Sequence, residues 1–439
     1  MDRKRTLINI LSAPLFWILL ISGIVRSIYY SVLLNSQSVD TASYLNYHAN
    51  ILIGQTDSHR TPVYPYFIKL IGLFGHQSLI NNIVTAQIVV SFLSIILFYR
   101  IVRGVFKGPA VIFAASLLYG AMLPVINFDK MVLTESLSVT CILVFIYLSV
   151  CYLKRPTHLK AWTLTLYVFI AIMLRPSFVY LLPLAGFFWL IRLIIRRDEW
   201  KLCLSGLAAS LVVILLINGY AGLNEKNTGF YGLSDVGNKN EIRVVANAGI
   251  YMYGNDPEIS SVIKKSLDSL QEPIYKPDAG ETVTLRFKPE RVHKFIVTCL
   301  KNKPVIYLLY IGGKFIDLQT TNIFTNYPAH KLSFLAFRIN NIEYLLFCVT
   351  FNLLYIFIVL STISALVWWV RSKQTPWFKI ILAGLCILQV LIAIMGADAE
   401  YPRLILPAMP ALIILLFYHI DRIGFAIDGE VLKRYPASV

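Results

Sequence analysis

Long apolar stretches alternate with shorter polar ones along the whole chain. Apolar runs lie at roughly 7–34, 79–99, 109–126, 133–153, 161–174, 176–195, 202–221, 342–370, 377–397 and 403–420. Each is near the length of about 20 residues that carries a helix across a bilayer core. The pattern predicts an all-α polytopic membrane protein with about ten spans. The runs do not alternate residue by residue, so an outer-membrane barrel is excluded. The first run follows the basic start Met1-Asp2-Arg3-Lys4-Arg5. It is long for a signal peptide and no small-residue cleavage site closes it, so it reads as an uncleaved span.

Two of the polar stretches are long, 35–78 and 222–341. They divide the chain into an N-terminal transmembrane catalytic module, 1–221, which includes the loop 35–78, then a loop region, 222–341, and C-terminal transmembrane helices with a short tail, 342–439. Within the loop region the stretch Val305–Phe324 is apolar but contains Gly312, Gly313, Lys314 and Asp317. It is expected to lie along the membrane surface as a helix. No internal repeat or low-complexity tract is present, and no matched pair of broken helices points to a transporter.

Composition narrows the class. Hydrophobic residues make up 57% of the 439 and charged residues 15%, against about a quarter charged in a soluble domain. A soluble enzyme, a disordered chain and a fibrous repeat are excluded. The 40 Lys and Arg exceed the 24 Asp and Glu, giving +16. Nucleic acid is not needed to explain this, because membrane proteins concentrate bases on the cytoplasmic side. Basic clusters fall at Arg3–Arg5, Arg100–Lys107, Lys154–Lys160, Arg192–Lys201, Arg371–Lys379 and Arg422–Arg434. Apart from 222–341, the intervening loops hold only Arg60, Lys69, Lys130, Arg175 and Arg403. The predicted topology is N-in and C-in in the cytoplasmic membrane, with the sparse loops outside. Five of the six cysteines lie in or beside apolar runs, and only Cys299 falls in a long polar loop, so no disulfide framework is readable.

The candidate chemistry lies in those sparse loops. Asp40 follows the first span and opens a helical pattern, where it reads either as a helix cap or as a carboxylate facing a cavity. Arg60 stands before Thr61-Pro62-Val63-Tyr64-Pro65, a stiff segment suited to presenting one guanidinium to a phosphate. It reads equally as an arginine snorkelling to lipid. Glu135 begins the fourth run, and an acid entering an apolar helix is costly unless it serves a site. Its bland alternative is an interfacial pair with Lys130. Asp129 is expected to be more exposed and to form a surface pair with Lys130. Arg175 stands before Pro176, and Glu400 and Arg403 flank Pro402 at the mouth of the last span. Carboxylates able to deprotonate a hydroxyl, with arginines able to stabilise a departing phosphate, suggest a site for a phosphate-linked lipid.

At these residues the chain resembles the membrane glycosyltransferases of the GT-C superfamily, in the bacterial branch related to protein O-mannosyltransferases and the lipid A aminoarabinose transferase. The resembling pieces are Asp40 with Ser43-Tyr44-Leu45; Arg60-Thr61-Pro62 with Tyr64-Pro65; Leu133-Thr134-Glu135-Ser136-Leu137; Leu174-Arg175-Pro176; and Glu400, Arg403, Pro407 and Pro410. The resemblance implies a GT-C-like bundle with outer-surface helices in the first loop. It also implies a sugar donor on polyprenyl phosphate and transfer outside the cytoplasm. Asp40 and Glu135 take the family's catalytic positions, and Arg60, Arg175 and Arg403 those that bind the donor phosphate. Tyr44, His59, Tyr64, Asp129, Lys130 and Glu400 are further positions expected to contact substrate. The mannosyltransferases carry two adjacent acids in the first loop, whereas here Val39 and Thr41 flank Asp40. A divalent metal is an open expectation, with His48, His59 and His293 as weak candidate ligands. The acceptor is an envelope protein, lipid or polysaccharide. The competing readings are a glycan polymerase or ligase using a lipid diphosphate, and a flippase or transporter, against which the clustering of charge at the outer mouth argues.

Overall fold

In a computed structural model, the protein is described at residues 13–32, 35, 37, 38, 40–75, 78–269, 279–317, 360–364, 367, 376–396 and 401–434. All regular structure among these residues is helical. Eight helical segments are long and apolar enough to cross a membrane. They are α1 (Pro14–Val32), α4 (Leu79–Arg103), the pair α5 (Pro109–Gly120) and α6 (Leu123–Asp129), α7 (Glu135–Lys154), α9 (Leu181–Ile195), α10 (Trp200–Thr228), α16 (Trp377–Gly396) and α18 (Met409–Arg434). The run at 161–174 forms α8 (His158–Leu174), apolar but shorter. The expected span at 342–370 lies largely outside the described residues. Between the spans, α2 (Thr41–Leu45) and α3 (Val63–Gly72) belong to the first long loop, and α17 (Tyr401–Ile405) precedes α18.

The spans share one core. Ile95, Phe98, Ile142, Ile146, Val168 and Ile414 are fully buried. Outward-facing residues such as Ile28, Leu93, Phe187, Ile194 and Leu215 are exposed and apolar, as a surface meeting lipid requires. Gly120, the last residue of α5, allows α1 to come close: a Cβ there would sit 2.1 Å from Ser22 Oγ.

The polar loops sort to the two ends of the bundle as the charge pattern expects. At one end Asp421 of α18 accepts from the backbone amides of Gly108 (2.9 Å) and Lys107 (3.3 Å), joining two segments predicted to share a side. At the other end the first loop meets the segments before α7 and before α18.

A smaller helical unit follows α10: α11 (Val236–Asn247), α12 (Pro257–Ser269), α13 (Ala279–Arg286) and α14 (Pro289–Asn302). On α14 the residues Val292, Phe295, Ile296 and Cys299 are spaced to share one helical face. They are buried in a core of their own with Ile242, Ile259 and Ile263. Gly254 makes room for that core, since a Cβ there would lie 2.0 Å from the Phe295 ring. Cys299, the cysteine placed in a polar loop by sequence, is thus buried and free. Helix α15 (Pro304–Asp317) leaves α14 at 95°. Each of the two has 14 residues, about 21 Å of helix, short of the ~30 Å core. The rest of the expected surface helix, 318–324, lies outside the described residues.

Candidate active site

Local sequence fixes each charged group. Asp40 stands immediately before α2, but its side chain makes no capping hydrogen bond. Arg60 follows a turn in which Asp57 Oδ1 accepts from the amides of His59 (2.6 Å) and Arg60 (3.2 Å). Glu135 is the first residue of α7, where the helix dipole favours an acid. Arg175 ends α8, and Pro176 forces it into extended backbone, φ −149° and ψ 113°. Arg403 lies on α17, one residue after Pro402.

These five residues form one connected network. Arg60 Nη2 donates to Asp40 Oδ1 at 2.7 Å, and Arg403 Nη2 donates to Asp40 Oδ2 at 2.9 Å. Arg403 Nε also donates to Glu135 Oε1, which takes Arg175 Nη2 at 3.3 Å as well. Arg60 is braced further by Ser43 Oγ (2.7 Å) and by Tyr44, whose hydroxyl accepts at 3.0 Å while the guanidinium carbon sits 4.2 Å from the ring centroid. Among the described residues, the network sets three guanidiniums against two carboxylates. Exposure is graded: Asp40 is 32% accessible, Arg403 17%, and Glu135 0%. Burial alone would raise the Asp40 carboxyl, but Arg60 and Arg403 outweigh it and hold the group well below the usual carboxylate range.

Two buried glutamines hold the loops that carry these charges. Gln87, on α4, accepts from Tyr64 OH at 2.7 Å and donates to the carbonyls of Met131 (2.8 Å) and Asp129 (3.3 Å). It thereby ties α3, just after Arg60, to the segment before Glu135. Gln389, on α16, accepts from Tyr180 OH at 2.6 Å and donates to the Leu404 carbonyl at 2.5 Å. Tyr180 lies in the single 3-10 turn after Arg175, Pro176–Tyr180, and Leu404 adjoins Arg403.

The other candidates separate from the network. Asp129, expected near the surface, is fully buried and ion-paired with Arg26 of α1 at 3.0 Å. It also accepts from Tyr30 OH (2.7 Å) and Ser136 Oγ (2.5 Å). The correction has a physical cause: an arginine inside the first span needs a buried anion, and α6 delivers one. Lys130 does not pair with Glu135, whose charge partners are the two arginines; its ammonium lies 6.0 Å from the Tyr30 ring centroid. Tyr64 is buried, packed edge-on against Tyr44 at 4.8 Å. His59 Nδ1 lies 2.9 Å from Asp235 Oδ1, linking the first loop to the smaller unit. Glu400 falls outside the described residues. Sequence reading missed Arg26, Gln87 and Gln389; each is a polar residue inside an apolar run, which is the signal that marks it. No group of three His, Cys, Asp or Glu side chains able to hold a metal occurs among the described residues. Both oxygens of Asp40 are engaged by guanidiniums.

Residues 59–220, which include Arg60, Glu135 and Arg175, match the family model described as "Dolichyl-phosphate-mannose-protein mannosyltransferase". That stretch is similar to this mannosyltransferase family, and it is less than half of the chain. Among curated proteins, none matches the sequence. Solved structures that resemble this chain include the Archaeoglobus fulgidus oligosaccharyltransferase in the apo form, at TM-score 0.48 and 11% identity over 95% of this chain and 52% of that one. The same organism's oligosaccharyltransferase AglB, in complex with an inhibitory peptide and a dolichol-phosphate, gives TM-score 0.48 and 10% identity over 97% and 52%. The chain thus spans about half the length of these proteins.

Proposed function

We propose that this chain is a GT-C glycosyltransferase that transfers a sugar from a polyprenyl-phosphate carrier to an acceptor hydroxyl on the outer face of the cytoplasmic membrane. The observation that carries the reading is the network itself: three arginines from three loops, held on two carboxylates, with a partly exposed side. Arginine forks suit phosphate oxygens. Asp40, the more exposed acid, takes the proton of the attacking hydroxyl. The hydroxyl oxygen bonds to the anomeric carbon as the bond from that carbon to the phosphate oxygen breaks. Polyprenyl phosphate leaves with the electron pair, and a single displacement inverts the anomeric centre.

An acid held low by two arginines is a weak base. The donor relieves this. Its phosphate competes for Arg60 and Arg403, and as they turn to it the Asp40 oxygens are freed and the carboxyl rises toward its ordinary range. The reading therefore includes an order, with donor first and base activated second. It is tested with the purified full-length protein and polyprenyl-phosphate sugars, following release of polyprenyl phosphate. One monosaccharide released per turnover supports it; transfer of a preassembled glycan from a lipid diphosphate overturns it.

A further inference from the structure

Two atoms in the network have no hydrogen-bond partner. Glu135 places both of its arginine contacts on Oε1, and Oε2, fully buried, has none. Arg175, 6% accessible, uses Nη2 for Glu135, while its buried Nη1 has none. The carboxylate and the guanidinium touch through their other ends, so the two atoms lie within reach of one small ligand. Leaving a buried charged acceptor and a buried charged donor unmatched is expensive, so this corner is built to receive something.

The chemistry of the pair restricts what that is. An ionised carboxylate only accepts, so its partner must donate. A phosphodiester oxygen only accepts, so it is repelled at Oε2. A sugar hydroxyl does both: it donates to Oε2 and accepts from Nη1, alone or through two neighbouring hydroxyls of one ring. Depth separates the substrates further. Asp40 is about one-third accessible, whereas Glu135 is sealed.

We infer that Glu135 and Arg175 form a hydroxyl-reading subsite for the donor sugar, distinct from Arg60 and Arg403, which take the phosphate. This rests on the reading of the network as a polyprenyl-phosphate-sugar site. It divides the three arginines by task and makes Glu135 a determinant of which sugar is used.

The test measures binding to the full-length protein in lipid nanodiscs. The ligands are polyprenyl phosphate alone, a set of polyprenyl-phosphate hexoses differing at single ring carbons, and versions of the tightest binder each lacking one ring hydroxyl. In the wild type, the sugar is expected to tighten binding at least about tenfold over polyprenyl phosphate, and removal of one particular hydroxyl to cost about 10- to 100-fold. Glu135→Gln should bind that deoxy donor and its parent alike. The wild-type series stands alone if the variant does not fold. Equal binding of parent and every deoxy donor overturns the subsite and leaves the phosphate reading standing. So does a Glu135→Gln loss equally large with polyprenyl phosphate alone, because Glu135 would then merely brace the arginines. Failure of every polyprenyl phosphate species to bind the wild type overturns both.

Discussion

Asp40 carries two guanidiniums at once, and its substitution separates chemistry from folding. Asp40→Asn keeps the shape but removes the basicity, and transfer should fall at least about 100-fold, the usual worth of a general base. Near-normal release of polyprenyl phosphate from folded Asp40→Asn protein would sink the assignment. The acid also makes a stability statement. Its folded-state pKa lies below the ordinary carboxylate value of 3.8, so its stabilisation is complete above the unfolded value and is lost as pH falls toward the folded one. The gap in unfolding temperature between the wild type and Asp40→Asn should therefore be level from neutrality to about pH 5, narrowing only in stronger acid. Arg403→Ala should abolish thermal protection by polyprenyl phosphate, and Arg403→Lys should restore only part of it, because a point charge does not reproduce a fork. Asp40, Glu135 and the three arginines were legible in the sequence because a charge beside an apolar run stands out. That the arginines meet in one place was expected from their shared outer loops; which acid each one grips was not, because Asp40 and Arg403 are 363 residues apart and only the packed bundle supplies that distance. Burial of Asp129 was illegible for the same reason, since its partner lies in the first span.

Helices were read more surely than the joints between them. The apolar runs gave nearly every span among the described residues, because hydropathy is a property of the local chain. The break at Ala121–Met122, between α5 and α6, was not seen, because both sides of it are apolar. Nor did hydropathy reveal how the helix ends are held in register, a task that falls to the glutamines on α4 and α16. Gln389→Leu removes both of its hydrogen bonds while keeping comparable bulk. Interhelical bonds of this kind in membranes average about 0.6 kcal/mol, so the unfolding temperature should move little. Positioning is far more sensitive, since a 1 Å misplacement costs up to about 100-fold. Gln389→Leu should therefore lower kcat/KM at least about tenfold, with much of the loss in kcat. A change in stability with unchanged turnover would assign Gln389 to the scaffold alone. Gln87→Leu should behave likewise, through Arg60 and Glu135.

At the scale of the molecule, two contacts join parts that are distant along the chain. Asp235 accepts from Ser58 Oγ at 2.9 Å and faces His59, while its amide donates to the Ser58 carbonyl at 2.7 Å. The smaller helical unit is thereby fastened beside Arg60. Asp235→Ala should quicken amide exchange across residues 55–60, and unchanged exchange there would show that the backbone bond suffices. The other contact is the Arg26–Asp129 pair. Removing one buried partner strands the other charge, so Arg26→Leu alone should cost about 3–5 kcal/mol, whereas Arg26→Leu with Asp129→Leu should recover much of it.

That pair also bears on how the protein is made. Arg26 and Asp129 are 103 residues apart, and at 5–20 residues per second the ribosome needs about 5–20 s to cover the interval. During that time the first helix has left the ribosome without its anion, carrying an arginine that costs about 2.5–3.5 kcal/mol at the centre of a membrane helix and less toward its end. The newborn α1 is therefore a poor guest in lipid by itself. It should stay beside the insertion machinery until α6 arrives, and crosslinking of arrested nascent chains should lose that contact once residue 129 has entered the membrane.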